Sequence, residues 1–428
     1  MRVLLISPNT ERLNMPVLPL GLALVAAAVQ RAGHEVRLLD LLAEDDPNAA
    51  IRRAVGRFAP DVIGLTIRNI DDQNMESPRL LIEPVREVVA ACRAATGAPI
   101  VLGGAGFSMF PDAALAYLGA DFGICGEGEA AFPALLERLC RGKDPWGLPG
   151  VHVAGRSASP PKDPIAGFDA LPLPDEDLWP AADPEDPDIW VPVQTRRGCP
   201  LDCAYCSTPD LEGRLLRARS PRAMVRHIAR AAEAGFRRFY FVDNTFNLPA
   251  TYALELCRRL KSLHGSIVWR AILYPHCVPE ELVTAMAESG CVEVSLGFES
   301  GSPDVLQAMN KRYGPDEVRK IADMLADHGI RRIGFLLLGG PGETRESVLE
   351  SLDFADALDP EMLHVSVGVR IYPRTPLAER AVAEGLLAPG DDLLRPRFYS
   401  RPGLEGWIRE EVARRYGPDA AGRPIARR

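Results

Sequence analysis

Several features that mark other classes of protein are missing from this sequence. No apolar run reaches the roughly 18 residues of a membrane span, and the longest apolar stretch, 20–34, ends in polar residues. The opening MRVLLIS lacks the apolar core and cleavage site of a secretory signal and instead fits a first buried strand. We therefore expect neither a membrane protein nor a secreted one.

Positive charge and paired cysteines are also in short supply. The formal net charge is −9, which argues against nucleic acid as a main partner. The cysteines number nine, an odd count that does not suit a disulfide framework, so we expect the reducing cytoplasm. No lectin-like, peptide-binding or nucleic-acid module is visible. The remaining expectation is a globular enzyme acting on a small polar metabolite.

Three of the cysteines, Cys199, Cys203 and Cys206, lie within eight residues in the run RRGCPLDCAYCSTPD. Three thiolates in this C-x3-C-x2-C spacing favour a 4Fe-4S cluster with one iron left open. A structural zinc site needs four ligands, and no further His or Cys follows until His227. A chance trio of buried cysteines is the remaining alternative. The other six cysteines fall in apolar surroundings and are interpreted as core residues.

The same run, with Tyr205 before the last cysteine, resembles the signature of radical S-adenosylmethionine (SAM) enzymes. The resemblance implies that the open iron chelates the amino and carboxylate groups of SAM. One electron then cleaves SAM to methionine and a 5'-deoxyadenosyl radical, which abstracts hydrogen from an unactivated carbon. It also implies an electron donor such as flavodoxin or ferredoxin.

Strand-like and helix-like segments alternate along the chain and predict an α/β fold in two parts. Residues 1–145 are predicted to form a doubly wound, Rossmann-like domain, and the Pro-rich segment 146–190 is predicted to be a linker. Six further strands in 191–385 predict a (β/α)6 partial TIM barrel, and 386–428 form a C-terminal tail. The cysteine loop follows the first barrel strand and is therefore expected at the mouth.

Polar and glycine-rich motifs follow the later barrel strands. SLGFESGSPDVLQAMNK (295–311) resembles the family segment in which Glu299, helped by Ser300, binds the ribose of SAM. GGPGET (339–344) is similar to the segment that holds adenine through its backbone. Asp243 and Asn244 are further candidates for SAM binding, and a simple turn is the alternative for this pair. Arg270 in the barrel could pair either with SAM or with substrate. By the resemblance, the SAM-binding residues are Tyr205, Asp243, Asn244, Arg270, Glu299, Ser300, Gly339 and Gly340.

The order of the two domains resembles the cobalamin (B12)-binding group of the same superfamily. The N-terminal segments that match include DVIGLTIRNID (61–71) and IVLGGAGFSMFPDAAL (100–115). The D-x-H-x-x-G motif of many cobalamin modules is absent, because the loop after the first strand contains no His. Residues expected to hold the nucleotide tail are Thr66, Gly103, Gly104 and Ser108. Polar residues expected to face the cleft are Arg12, Asn14, Arg68, Asn69, Asp71, Asp72 and Asn74.

The first functional hypothesis is cobalamin-dependent methyl transfer to an unactivated carbon of a small metabolite, using a 4Fe-4S cluster, SAM and cobalamin. The alternative is a cobalamin-independent radical SAM deoxygenation, dehydration, epimerisation or cyclisation of a natural-product intermediate. A third hypothesis is an iron–sulfur electron-transfer or sensing protein. The Glu299 segment and the glycine turn have no role in that third hypothesis.

Overall fold

The computed structural model describes residues 1–12, 16–156, 165, 167–175, 178 and 182–426. Within these residues the chain forms two parallel sheets, each covered by helices. Asn14 and part of the predicted linker lie outside the described residues. In the described part of the chain, no helix has both the length and the apolar character required to cross a membrane.

The N-terminal sheet has six strands in the order β2-β1-β3-β4-β5-β6. The first five are parallel, and β6 pairs antiparallel with β5. The strands are β1 (Arg2–Ser7), β2 (Glu35–Asp40), β3 (Val62–Thr66), β4 (Ile100–Gly103), β5 (Phe122–Ile124) and β6 (Val151–Val153). The helices are α1 (Leu20–Arg31), α2 (Pro47–Phe58), α3 (Glu83–Ala95), α4 (Ala105–Met109), α5 (Pro111–Leu118) and α6 (Gly128–Cys140).

Apolar side chains on both faces of β1 explain why this sheet is covered on both sides. Val3 and Leu5 belong to one buried cluster, together with residues of α1 and α6. Leu4 and Ile6 belong to a second cluster, together with residues of α2 and α3. Because successive side chains of a strand point to opposite faces, an unbroken apolar run requires helices on both.

The second sheet contains six parallel strands and one antiparallel edge strand, in the order β17-β14-β13-β12-β11-β10-β7. Two short antiparallel pairs, β8–β9 and β15–β16, lie beside it. The strands are β7 (Val191–Val193), β8 (Arg196–Arg197), β9 (Arg217–Ala218), β10 (Arg238–Phe241), β11 (Val268–Leu273), β12 (Cys291–Glu299), β13 (Arg331–Leu338), β14 (Met362–Val367), β15 (Val369–Arg370), β16 (Phe398–Tyr399) and β17 (Pro424–Ala426).

Helices connect the parallel strands of this second sheet, as in a (β/α)6 partial barrel. Its helices are α7 (Thr208–Glu212), α8 (Pro221–Glu233), α9 (Ala250–Leu260), α10 (Glu280–Glu288), α11 (Pro303–Ala308), α12 (Pro315–Asp327), α13 (Arg345–Leu358), α14 (Pro376–Ala383) and α15 (Glu405–Tyr416). The predicted fold class, a doubly wound domain followed by a partial barrel, is confirmed.

At the edges of the two main sheets, two strands were not predicted from the sequence. β6 falls in the segment predicted as a linker, and β17 falls in the segment predicted as a tail. Each has three residues and pairs antiparallel at a sheet edge. So short a strand carries too few apolar positions for its periodicity to be recognised.

Candidate functional site

The loop that carries the three cysteines runs from β8 to α7 and is fastened at several points. The Cys199 amide donates to the Gly213 carbonyl (3.0 Å), and the Ala204 amide donates to the Met309 carbonyl (2.9 Å). Gly198 has a φ of +95°, and a side chain there would place Cβ 2.2 Å from the Leu215 carbonyl oxygen. A glycine is therefore required immediately before the first cysteine of the motif.

The thiols of this loop suit an iron–sulfur cluster better than a single zinc ion. With Zn–S bonds of about 2.3 Å, the sulfurs of one zinc site lie about 3.8 Å apart. Among the described residues, one set of three donors has all its ligand atoms within 4.8 Å of one another. The three cysteines are not that set, so their sulfurs are spaced more widely than this. Burial raises the pKa of Cys199 to about 11 and also raises the pKa of Cys203. Both thiols therefore need a bound cation before they lose their protons at neutral pH.

Beside this loop, Glu299 belongs to a buried polar network with Tyr205 and Lys311. The Tyr205 hydroxyl donates to Glu299 Oε1 (2.7 Å), and Lys311 Nζ donates to the same oxygen (3.1 Å). Glu299 has a φ of 60°, and the pairing register of β12 shifts between Gly297 and Glu299. Backbone strain of this kind persists only where the surrounding structure enforces it. The strain directs the carboxylate towards the cysteine loop.

Lys311 is a candidate site residue that the sequence analysis quoted in the M-N-K run but did not select. Its side chain is only 4% exposed, and its ammonium lies near the rings of Tyr205, Tyr274 and Tyr313. Burial by itself lowers the pKa of Lys311, but the Glu299 carboxylate outweighs burial and raises that pKa above its usual value. A permanent positive charge therefore lies next to Cys203. The signal in the sequence was a lysine three residues after the short helix α11, which follows Glu299.

The glycine turn after β13 is held by a second acid. The Gly339 amide donates to Glu343 Oε2 (3.2 Å), and the Ser347 hydroxyl donates to Oε1 of the same carboxylate. Gly340 has no room for a side chain, because Cβ would lie 2.5 Å from the terminal methyl carbon of Met309. The glycines thus let β13 end against the segment that follows Glu299. Sequence analysis missed Glu343, which is 1% exposed and whose pKa is raised by burial.

The Asp243 carboxylate accepts several hydrogen bonds from within the protein. Its carboxylate accepts hydrogen bonds from the Thr195 amide (2.8 Å), the Thr195 hydroxyl (2.6 Å) and the Arg196 amide (2.9 Å). The Arg196 guanidinium lies at 3.4 Å, and both side chains are 2% exposed. Because these donors occupy the carboxylate, Asp243 holds the strand end before the cysteine loop and has little capacity left for the ammonium of SAM.

The Ser300 and Arg270 side chains also have partners within the protein. The Ser300 hydroxyl is fully buried and bonds to the Ser351 hydroxyl at 2.8 Å. Arg270 is the third residue of β11, near its amino end, and its guanidinium pairs with Glu293 (3.4 Å). The Arg270 guanidinium also stacks between the Trp190 ring and the ring of the tyrosine in β10. The Arg270 guanidinium is thus held by an acid and two aromatic rings of the protein itself, and its predicted role at SAM stays a prediction.

Asn244, in contrast, remains beside the loop. It is exposed, and its amide donates to Glu212 Oε2 (3.0 Å). The same Glu212 oxygen accepts from the Gly198 amide (3.1 Å). Asn244 thus reaches the cysteine loop through Glu212, whose pKa is raised by burial.

All four residues predicted to hold a cobalamin tail line one cavity of about 230 Å³. Thr66, Gly103, Gly104 and Ser108 form one wall of it. Leu22, Val25 and Phe132 make much of the remainder apolar. Gln194, Arg197 and Glu212, which flank the cysteine loop, complete the lining. The cavity is therefore shared by the two sheets.

Glycines leave open space in this cavity that a flat group could occupy. A Cβ at Gly21 would meet no atom within 4 Å, and one at Gly103 would meet only the Ile124 carbonyl oxygen at 3.9 Å. Gly104 has a φ of +96°, and a Cβ there would lie 2.5 Å from the Ile67 carbonyl oxygen. The Ser108 hydroxyl donates to the Gly104 carbonyl (2.9 Å) and fixes the turn. These residues fit the nucleotide tail of a corrin.

Some of the polar loop residues expected to face this cleft instead tie the sheets together. Asp71 is 4% exposed and accepts from Arg370 Nε at 2.9 Å. Asp72 accepts from the Asn74 and Arg79 amides (both 3.1 Å) and shapes its own loop. Asp71 and Asp72 are therefore structural, while Arg68 and Asn69 are exposed.

Two family models match the chain. The model of the Radical SAM superfamily matches residues 193–355, which include the three cysteines and Glu299. The model of the B12 binding domain matches residues 7–136, which include the glycine wall of the cavity. The two matches follow the same division as the two sheets.

Known proteins resemble the chain over most of its length. It is 30% identical over 398 residues to an uncharacterized methyltransferase of Pyrococcus horikoshii, covering 90% of this chain and 84% of the relative. It is 25% identical to tryptophan 2-C-methyltransferase of Streptomyces laurentii, covering 88% and 74%. Among solved structures, the methyltransferase TsrM of Kitasatospora setae, with cobalamin and a [4Fe-4S] cluster bound, superposes with a TM-score of 0.80 at 26% identity, covering 91% of this chain and 76% of TsrM.

Proposed function

The chain belongs to the radical SAM superfamily and carries a B12-binding domain, and from this we propose that it methylates a carbon of a small metabolite. The predicted cofactors, a 4Fe-4S cluster, SAM and cobalamin, are confirmed as those of this family. When bound, the cluster would supply an electron, SAM would supply the methyl group and the radical, and cobalamin would carry the methyl group.

One observation carries the proposal: a single cavity joins the glycine wall of the N-terminal sheet to the residues that flank the cysteine loop. A corrin whose tail lies against Gly103 and Ser108 would have its ring beside the mouth of the barrel. A carbon held there would be close to both cofactors. No hinge motion is needed to bring the two sites together.

The residues of the chain have three tasks in this proposal. Cys199, Cys203 and Cys206 would hold the cluster. The Lys311 ammonium orients the Glu299 carboxylate, which would accept hydrogen bonds from the hydroxyls of SAM. The apolar cavity wall excludes water from the space around the corrin tail.

The substrate and the partners are proposals of their own. The acidic chain and the enclosed site support a small molecule as substrate. The reaction requires electrons from another protein, and we propose a donor of the flavodoxin or ferredoxin class. We place the protein in the cytoplasm, because none of its nine cysteines forms a disulfide.

The test is a substitution that places a larger side chain in the cavity, at a glycine whose backbone conformation permits one. Gly103→Leu would project into the open space of the cavity, and overpacking by about 1–3 kcal/mol lowers affinity about 5- to 150-fold. Gly56→Leu is the control, because this glycine of α2 also has open space around it but lies outside the cavity. The measurement is cobalamin retained per chain after anaerobic reconstitution.

We expect Gly103→Leu to lose cobalamin and methylated product together, while cluster content and thermal stability stay as in Gly56→Leu. Substrate turnover without methylation by wild-type protein free of corrin would contradict the proposal and favour the cobalamin-independent alternative. Equal cobalamin retention by both variants would show that the cavity is not the corrin site.

A further inference from the structure

A second group of ligand-type side chains lies at the carboxyl end of β11, outside the cysteine loop. His276 and Cys277 follow this strand in the next loop, and Glu317 lies in the first turn of α12. Each residue offers one ligand atom, and these atoms all lie within 4.8 Å of one another. The mechanism proposed above uses none of the three.

The three side chains already contact one another. Cys277 Sγ lies 3.2 Å from His276 Nε2, and His276 Nδ1 lies 3.1 Å from Glu317 Oε2. The Cys277 amide donates to Glu317 Oε1 at 2.7 Å. Ligands of a tetrahedral zinc ion, with bonds of about 2.0–2.3 Å, lie about 3.3–3.8 Å apart. The two short contacts are near that spacing but end on different ring nitrogens, so an ion bound through one nitrogen requires the third ligand to move in from a separation of at most 4.8 Å.

The loop is held in this conformation from outside the group. Asn247 Nδ2 donates to the carbonyl groups of Tyr274 (2.9 Å) and His276 (3.2 Å). Cys277 has a φ of 51°, an unusual backbone conformation for a residue other than glycine. Cys277 is exposed, while the His276 and Glu317 side chains are each 32% exposed. The donors are thus fixed in place and within reach of an ion from solution.

We propose that His276, Cys277 and Glu317 bind a divalent metal ion of the zinc class. Zinc takes thiolate, imidazole and carboxylate ligands, and one donor of each kind is present here. Three protein ligands leave a fourth position for water or for an oxygen donor of a small molecule.

The position of this site beside the barrel mouth gives the open ligand position a use. The His276 ring lies 6.4 Å from the Tyr274 ring, and the Tyr274 ring in turn lies 5.8 Å from Lys311 Nζ. A carboxylate or hydroxyl bound to the metal would therefore be anchored a few side chains away from Glu299. The class of ligand is an anionic or hydroxylated small molecule.

The experiment titrates Zn²⁺ alone into full-length, cluster-loaded protein against a chromophoric chelator, with iron measured in the same samples. Wild type should bind one zinc per chain, and Cys277→Ala should bind at least ~100-fold more weakly, since even loss of an outer partner costs 10–100-fold. Glu317→Gln should also be weaker. Cys140→Ala, which removes an exposed cysteine of α6, is the matched control and should bind as wild type.

A second readout separates this site from the cluster cysteines. Co²⁺ bound in place of zinc should give a thiolate charge-transfer band in wild type and in a Cys199→Ala/Cys203→Ala/Cys206→Ala variant, but not in Cys277→Ala. Equal zinc affinity in wild type and Cys277→Ala would overturn the proposal. So would a band that disappears with the cluster cysteines and persists without Cys277.

Discussion

Lys311 and Glu299 show how one buried pair shapes the chemistry of its surroundings. Their side chains are 4% and 14% exposed, and three tyrosine rings surround the ammonium. A buried charge is tolerated only with a partner, so each of these two residues requires the other. In the proposed function, the pair would supply both an acceptor for ribose hydroxyls and a cation beside the cysteine loop.

Lys311→Met should lower the free energy of unfolding by about 3–5 kcal/mol, because Glu299 would remain buried without its partner. Adding Glu299→Gln should recover part of that loss. Denaturant unfolding of the two single variants and the double variant measures the coupling. Lys320→Met, at an exposed lysine of α12, is the control and should change stability by about 0.5 kcal/mol or less. Additive losses would show that the pair is not coupled.

His227, on the buried face of α8, should make stability depend on pH. Burial first, and then the charges of Arg230 and Arg219, lower its pKa from 6.5 to about 4. Below pH 6.5, His227 is protonated in the unfolded chain but stays neutral in the folded chain until the pH reaches about 4. Stability is therefore lost as the pH falls from 6.5 to about 4, by about 3 kcal/mol in total. His227→Phe should remove this component, and urea midpoints between pH 4 and 7 would show it. An unchanged pH profile would contradict the assignment.

The loop between β7 and the cysteine motif depends on one carboxylate. Asp243→Ala would leave the Arg196 guanidinium buried beside an empty site and should destabilise the protein by about 3–5 kcal/mol. Asn244→Ala, one residue on and exposed, should cost about 0.5 kcal/mol or less. Thermal unfolding of cluster-free protein gives the comparison. If Asp243→Ala unfolds like wild type but binds SAM more weakly, the residue contacts the cofactor instead.

Long strands and helices were predictable from the sequence, whereas long-range pairing was not. β12 and β13 have nine and eight residues, and the segments that the sequence predicts as strands, 292–298 and 332–338, end within one residue of them. The cavity residues Thr66 and Gly103 were also predicted, because the carboxyl ends of parallel strands meet at one edge. Asp243, Ser300 and Arg270 were predicted to bind SAM. Their actual partners, at Thr195, Ser351 and Glu293, lie on other elements and leave no local signal in the sequence.

The two sheets are joined by buried ion pairs at two places. On one side Arg197 contacts Glu127 and Glu129 of the segment that begins α6. On the other, Arg370 pairs with Asp71 at 2.9 Å, and neither side chain is more than 2% exposed. Breaking one partner of such a pair is costly, because the other charge remains out of water.

Asp71→Ala should therefore lower stability by about 3–5 kcal/mol and separate the unfolding of the two domains. Calorimetry should show one transition for wild type and two for Asp71→Ala. Asp61→Ala, which removes an exposed partner of Arg2, is the control and should keep a single transition. Two transitions already present in wild type would show that the domains do not unfold together.

These paired charges also restrict how large ligands enter and leave. Separation of the two domains would leave Arg197 and Arg370 without their partners and incompletely solvated. We therefore expect such an opening to be rare. Ligands are instead expected to enter and leave through the barrel mouth, past the surface loops. A corrin whose tail lies behind Gly103 would exchange slowly. The protein should consequently keep one corrin over many turnovers while its smaller ligands come and go.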